Sequence, residues 1–168
     1  MLDASKSPPD RYVLFKNGSF EGAAGHTSHI ALWQVNTDDG FTKIGEPVSL
    51  TQSLPNGIGE ESPALTRMPD DRWLLLHTEG IWSSNYTTVY AVSNGSDIRG
   101  PYHDRHYKGI LLQNGDKDDG TTSEIFQPGG ADFVGGNNAE FIFAATEKPD
   151  STARMLYVAN MGYASVKS

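Results

Sequence analysis

Apolar residues in this chain come in short runs, and no segment sustains a helical period over three turns, so the sequence points away from helices and toward strands. The runs are 11–17, 29–35, 41–48, 64–67, 73–78, 87–93, 109–112, 140–145 and 155–160, each rich in Val, Ile, Leu, Tyr, Phe or Trp. Between them lie Asp38-Asp39-Gly40, Pro55-Asn56-Gly57, Pro69-Asp70-Asp71, Asn94-Gly95, Asn114-Gly115-Asp116 and Gly135-Gly136-Asn137. These are turn residues: Gly and Asn accept left-handed backbone and Asp closes Asx turns. The expected fold class is all-β.

A weak internal repeat refines that expectation. Arg11-Tyr12-Val13-Leu14-Phe15, Arg72-Trp73-Leu74-Leu75-Leu76 and Glu140-Phe141-Ile142-Phe143-Ala144 each open a unit. A second strand follows each one after a polar loop: Ile30-Ala31-Leu32-Trp33, Thr88-Val89-Tyr90-Ala91 and Met155-Leu156-Tyr157-Val158. The spacing of roughly 60 to 70 residues exceeds the ~40 to 50 of common propeller blades, the excess lying in loops. Repeated pairs of this kind fit about three propeller blades; a β-sandwich with accidental likeness between strands is the competing reading.

At 168 residues the chain has the size of one domain able to bury a core. Its formal charge of −8 and lack of any basic run argue against nucleic acid and anionic membrane as partners, whereas a neutral polysaccharide meets no such repulsion. With no cysteine, disulfides and thiolate chemistry are excluded. The first ten residues hold no apolar signal region, and no later stretch approaches the ~20 apolar residues of a membrane helix. Asn17-Gly18-Ser19, Asn85-Tyr86-Thr87 and Asn94-Gly95-Ser96 match the N-glycosylation acceptor pattern and lean toward secretion.

The chemically suggestive segment is Gly59-Glu60-Glu61-Ser62-Pro63-Ala64-Leu65, a carboxylate pair at the mouth of an apolar strand. Pro63 fixes its own φ and biases Ser62 toward extended backbone, so the strand is expected to enter in one direction. Glu61 reads either as a catalytic acid or as a surface carboxylate at a strand start, with Glu60 the solvated member of the pair. His77, among Leu74, Leu75 and Leu76, reads as a satisfied core histidine. The pairs His26/His29 and His103/His106 are three apart, which on strands puts them on opposite faces and disfavours zinc.

Taken in order, Leu2-Asp3-Ala4-Ser5, Asp10-Arg11-Tyr12-Val13-Leu14-Phe15-Lys16, Ile44-Gly45-Glu46-Pro47-Val48-Ser49-Leu50, Glu61-Ser62-Pro63 and Pro128-Gly129-Gly130-Ala131-Asp132 resemble the third to fifth blades of glycoside hydrolase family 43. That family comprises five-bladed β-propellers that cleave arabinose- and xylose-containing polysaccharides. The resemblance implies that residues 1–168 form a partial propeller domain of about three blades, which alone would leave sheet faces and edges open. It implies a glycosidase of arabinanase, arabinofuranosidase or β-xylosidase type acting with inversion on extracellular arabinan or xylan. Glu61 takes the general-acid position and Asp3 that of a carboxylate that orients the acid. The catalytic base belongs to a blade with no match here, so the chain reads as a fragment with weak activity or none. Arg154 matches an arginine that reaches the pocket, with an exposed residue paired to Asp150 as the alternative. Trp82 stands in a loop where it either stacks on a sugar face or caps the core. No cofactor is expected: the family's metal-holding His position is Gly130. The partner would be a polysaccharide or oligosaccharide. A non-catalytic carbohydrate-binding remnant and a purely structural product are the rival functions.

Overall fold

The repeated runs do become strands. The structure, a computed structural model, describes residues 2–3, 9–18, 28–52, 59–81, 83–102, 108–117, 124–134 and 140–162, with backbone alone at 2, 3 and 108. Eleven strands follow in chain order: β1 (Leu2–Asp3), β2 (Asp10–Gly18), β3 (Ser28–Val35), β4 (Lys43–Ser49), β5 (Glu60–Arg67), β6 (Trp73–Glu79), β7 (Thr87–Val92), β8 (Lys108–Leu112), β9 (Phe126–Phe133), β10 (Glu140–Thr146) and β11 (Met155–Asn160). Among the described residues there is no helix. Trp82, His26, His103, His106 and the turns expected at 55–57 and 135–137 lie outside the described residues.

The strands form three antiparallel sheets in sequence order, β1-β2-β3-β4, β5-β6-β7-β8 and β9-β10-β11. Each is a meander in which neighbours in sequence are neighbours in the sheet, an arrangement that differs from the crossed strands of a Greek-key sandwich. The units therefore open one strand earlier than the repeat implied. β2, β6 and β10 are second strands, and β1, β5 and β9 precede them. Two of the openers, β1 and β9, escape the apolar-run reading. The run Phe126-Gln127-Pro128-Gly129-Gly130-Ala131-Asp132-Phe133 looks like a loop from composition, yet it pairs with β10, Ile142 facing Asp132 and Ala144 facing Gly129. The third sheet has three strands among the described residues rather than four.

The middle sheet is covered on both sides, which explains why β6 reads Trp-Leu-Leu-Leu-His-Thr without alternation: all six are buried. Side chains still alternate in direction. Trp73 and Leu75 pack with Tyr12, Ile30, Leu32 and Leu65 toward the first sheet, whereas Leu74 and Leu76 pack with Ala131, Phe141 and Phe143 toward the third. Buried hydroxyls stitch the sheets together. Ser28 Oγ donates to the Glu60 carbonyl at 2.9 Å and accepts from the Glu60 amide at 2.9 Å. On the other side, Thr78 Oγ1 accepts from the Gly130 amide at 2.9 Å, and Thr88 Oγ1 donates to the Pro128 carbonyl at 3.2 Å.

The outer faces differ. Val13 on the first sheet is 44% exposed, and Leu156 and Val158 on the third are 71% and 61% exposed, leaving apolar side chains in solvent at both ends of the stack.

Candidate functional site

Glu61 stands at the second position of β5, the strand that meets both neighbouring sheets. The β5–β6 register slips between Glu61 and Ala64, and the bulge is centred on Ser62, whose φ is +52°. This corrects the expectation that Pro63 keeps Ser62 extended. The bulge needs a left-handed residue to make room for the extra position, and that local demand outweighs the pre-proline preference. Ahead of the bulge Glu60 and Glu61 stay in regular register with Glu79 and Thr78, so they point to opposite sides by ordinary strand alternation. Glu60 is fully buried toward the first sheet, the reverse of the solvated role expected for it, while Glu61 stays partly exposed. Burial of Glu60 follows from its partners, since Thr51 Oγ1 donates to its Oε2.

Glu61 lines an open cleft of about 270 Å³ together with Tyr86, Gly129, Gly130, Ala144 and Arg154. The Tyr86 hydroxyl donates to Glu61 Oε1, and Lys16 Nζ lies 3.5 Å from Oε2. Both oxygens of the carboxylate are thus held, one by a neutral donor and one by a cation. Period-two alternation along β2 places Lys16 on the face that carries Tyr12 and Leu14, so its direction was legible in sequence although its partner was not.

Gly129 explains how Tyr86 comes so close. A Cβ at 129 would stand 2.2 Å from Tyr86 Cε1 and 2.7 Å from Thr78 Cγ2, so only glycine lets β9 pass the ring. Burial, reinforced by the bond to Glu61, pushes the Tyr86 phenol up to about 12. It is therefore a hydroxyl donor across the physiological range. An unfolded tyrosine ionises near 10.0, so between that pH and about 12 the unfolded chain has lost a proton that the folded chain retains. Stability is then expected to fall as pH rises through this window. Tyr86→Phe should flatten that fall in denaturant melts run at stepped alkaline pH, and an unchanged slope would refute it.

Arg154 reaches the cleft. Its Nη2 donates to the carbonyls of Gln127 at 2.9 Å and Ala144 at 2.5 Å, and its Cζ lies 5.4 Å from the Tyr86 ring centroid. Burial draws its pKa below the ordinary guanidinium value. Nη1 is buried without a hydrogen-bond partner beside this cleft. Gln127, whose carbonyl it holds, has φ +54°, so both left-handed non-glycine residues near the cleft, Ser62 and Gln127, sit where side chains of the site are oriented.

Asp3 lies on β1, paired with Asp10, and its backbone alone is described. Asp3 and Glu61 thus belong to the first strands of neighbouring sheets. Gly130, at the position the family resemblance gives to a metal-holding His, donates its amide to Thr78 Oγ1. Tyr86 and Lys16 are the site residues that sequence reading left without a role. A Gly-Gly pair opposite a Tyr-rich strand was the available signal for Tyr86.

No protein-family model matches the sequence, and no curated protein matches it. Solved structures do. The chain is similar to an endo-arabinase from Bacteroides thetaiotaomicron, at 16% identity and a TM-score of 0.62 over 94% of this chain and 53% of that one. It is similar to a family 43 endo-arabinanase from Bacillus licheniformis, at 21% identity and a TM-score of 0.66 over 95% and 52%. An α-L-arabinanase from Cellvibrio cellulosa, complexed with arabinohexaose, aligns at 16% identity and a TM-score of 0.57 over 89% and 55%. The chain spans about half the length of each. Its three consecutive meander sheets therefore have the fold of the five-bladed β-propellers of glycoside hydrolase family 43, over about half of such a propeller.

Proposed function

We propose that this chain is the part of a glycoside hydrolase propeller that supplies the general acid for cleaving arabinose- or xylose-containing plant polysaccharides with inversion, arabinan being the first candidate. The observation that carries the reading is Glu61, a partly exposed carboxylate on the wall of an open cleft that Arg154 also lines, oriented by the Tyr86 hydroxyl. In this chemistry protonated Glu61 gives its proton to the glycosidic oxygen as the bond to the anomeric carbon breaks. A second carboxylate on the other side of the sugar takes a proton from the attacking water, at a separation of ~6.5 to 9.5 Å. That base belongs to a blade outside these residues, and Asp3 is the proposed orienting carboxylate. Arg154, which lines the cleft, is the proposed cationic contact to the sugar. Trp82 remains a proposed stacking residue. An acid and a base carboxylate suffice for water to displace the leaving sugar at the anomeric carbon, so no catalytic metal is invoked. The remaining sheets of a closed ring would cover the apolar outer faces at Val13 and at Leu156 and Val158. Such polymers lie outside the cell, which makes an extracellular site of action part of the reading.

The test uses the chain itself. Calorimetric titration with arabino- and xylo-oligosaccharides is expected to give saturable binding to one class, while sugar release from arabinan, arabinoxylan and nitrophenyl pentosides stays near background. A complete propeller containing these residues should release sugar. Binding without release even there would favour a non-catalytic carbohydrate-binding propeller, and absence of binding to either class would overturn the carbohydrate reading.

A further inference from the structure

Glu60 faces away from the cleft and creates a second, separate constellation. We propose that Glu60, His77 and Glu79 form a binding site for one divalent cation of the zinc type. The inference stands on this geometry and is independent of the hydrolase reading.

The sheet itself assembles the three residues. Glu60 pairs directly with Glu79 across β5 and β6, and His77, two positions before Glu79, shares its face. His77 Nε2 lies 3.2 Å from Glu79 Oε1 and 3.6 Å from Glu60 Oε1, and the three donor atoms all lie within 4.8 Å of one another. Donors held ~2.0 to 2.2 Å from a tetrahedral ion sit about 3.4 Å apart, so the two His77 separations already suit a common metal. One imidazole nitrogen with two carboxylate oxygens is a donor set that zinc accepts.

Proton counting points the same way. Glu60 and His77 have no exposed side-chain surface. Glu60 Oε2 is satisfied by Thr51, but Oε1, aimed at His77 Nε2, has no hydrogen-bond partner. A single N–H on Nε2 serves Glu79 at the shorter distance and leaves Glu60 Oε1 bare at full burial, where an unpaired carboxylate oxygen is costly. A divalent ion resolves the conflict. It accepts the Nε2 lone pair and one oxygen from each carboxylate, and its charge balances both; the imidazole proton moves to Nδ1, which has no acceptor in the present arrangement, a cost the ion's charge must outweigh. The Glu79 side chain, 21% exposed, marks the side from which an ion and a completing water ligand would enter. Thr51 and Ser28 hold Glu60 from the first sheet, so a bound ion would clamp the β5 bulge, β6 and the neighbouring sheet together.

The test is direct binding of zinc to the tag-free, chelator-stripped chain. Wild type is expected to take up one equivalent of Zn²⁺ at micromolar concentration by calorimetry and elemental analysis, and to melt at a higher temperature when loaded. Glu60→Gln and Glu79→Gln keep shape and remove one ligand charge each; each should weaken binding at least ~10-fold. Asp132→Asn, at an exposed position on β9 of the third sheet, should bind as wild type does. Failure of wild type to bind overturns the proposal, as does wild-type affinity in both Gln variants or loss of binding in Asp132→Asn. Should Glu60→Gln fail to fold, Glu79→Gln, at the more exposed position, decides the question. The absorption spectrum of Co²⁺-loaded wild type, whose intense visible bands report a tetrahedral site, provides an independent readout, and a weak octahedral spectrum would count against the proposed donor set.

Discussion

Glu61→Gln, made in a complete propeller that contains these residues, is expected to lower turnover on arabinan about 100- to 10,000-fold while the protein stays folded. Gln preserves the volume of the side chain, and its carbonyl oxygen can still accept the Tyr86 hydroxyl. What it lacks is a proton to give. The structural loss is small by comparison. Lys16 and Glu61 are each about one-third exposed, and an ion pair so situated contributes at most about 1 kcal/mol. The expected rate loss corresponds to about 2.7 to 5.4 kcal/mol of barrier, so the two effects cannot be confused. Leaving groups supply a second discriminator. An activated aryl pentoside departs with little protonation, so the variant should retain far more of its activity on a dinitrophenyl pentoside than on arabinan. Equal losses on both substrates would mean that Glu61 positions the sugar and gives it no proton. Unchanged turnover on both would make Glu61 a surface carboxylate.

The second large effect is expected at Gly129. An alanine there would place Cβ 2.2 Å and 2.4 Å from two Tyr86 ring carbons, contacts that require β9 or the ring to move. Overpacking of this kind costs about 1 to 3 kcal/mol or more. Gly130→Ala meets nothing within 4 Å, and its penalty comes from φ of +68°, about 1 to 2 kcal/mol for an L-residue in left-handed backbone. In denaturant melts Gly129→Ala should therefore lose more stability than Gly130→Ala. The variants also differ in kind. Only the first displaces the hydroxyl that holds Glu61, so only the first should lower the alkaline ionisation of Tyr86 toward an ordinary phenol. The reverse ranking, or identical tyrosine titrations, would show that the ring is not what requires glycine at 129.

Both predictions concern contacts that a linear reading located only in part. The runs around Tyr12, Leu32, Leu75, Ala91 and Phe143 announce strands because β-branched, aromatic and aliphatic side chains between Gly, Asn and Asp turns have few other ways to bury themselves, and every one of those runs lies in a strand. The two openers that were missed, β1 and β9, are a two-residue strand and a Pro-Gly-Gly run. β1 is too short to show a pattern, and β9 lacks a continuous apolar run because it passes the Tyr86 ring at Gly129, where there is room for little beyond backbone.

The Glu60–Glu61 pair marks the boundary between the two kinds of information. Adjacent residues on a strand point to opposite faces, so sequence alone determined that one of the two would face a different environment from the other. It did not determine which. Tertiary structure made that choice. Ser28 of the first sheet and Thr51, just beyond its last strand, captured Glu60, and Tyr86, which itself fits only beside a glycine, captured Glu61. Periodicity is a local property and is written along the chain. The partners that decide burial, charge pairing and the orientation of the Glu61 carboxylate arrive from residues 9 to 45 positions away, and only the packing of the sheets brings them together.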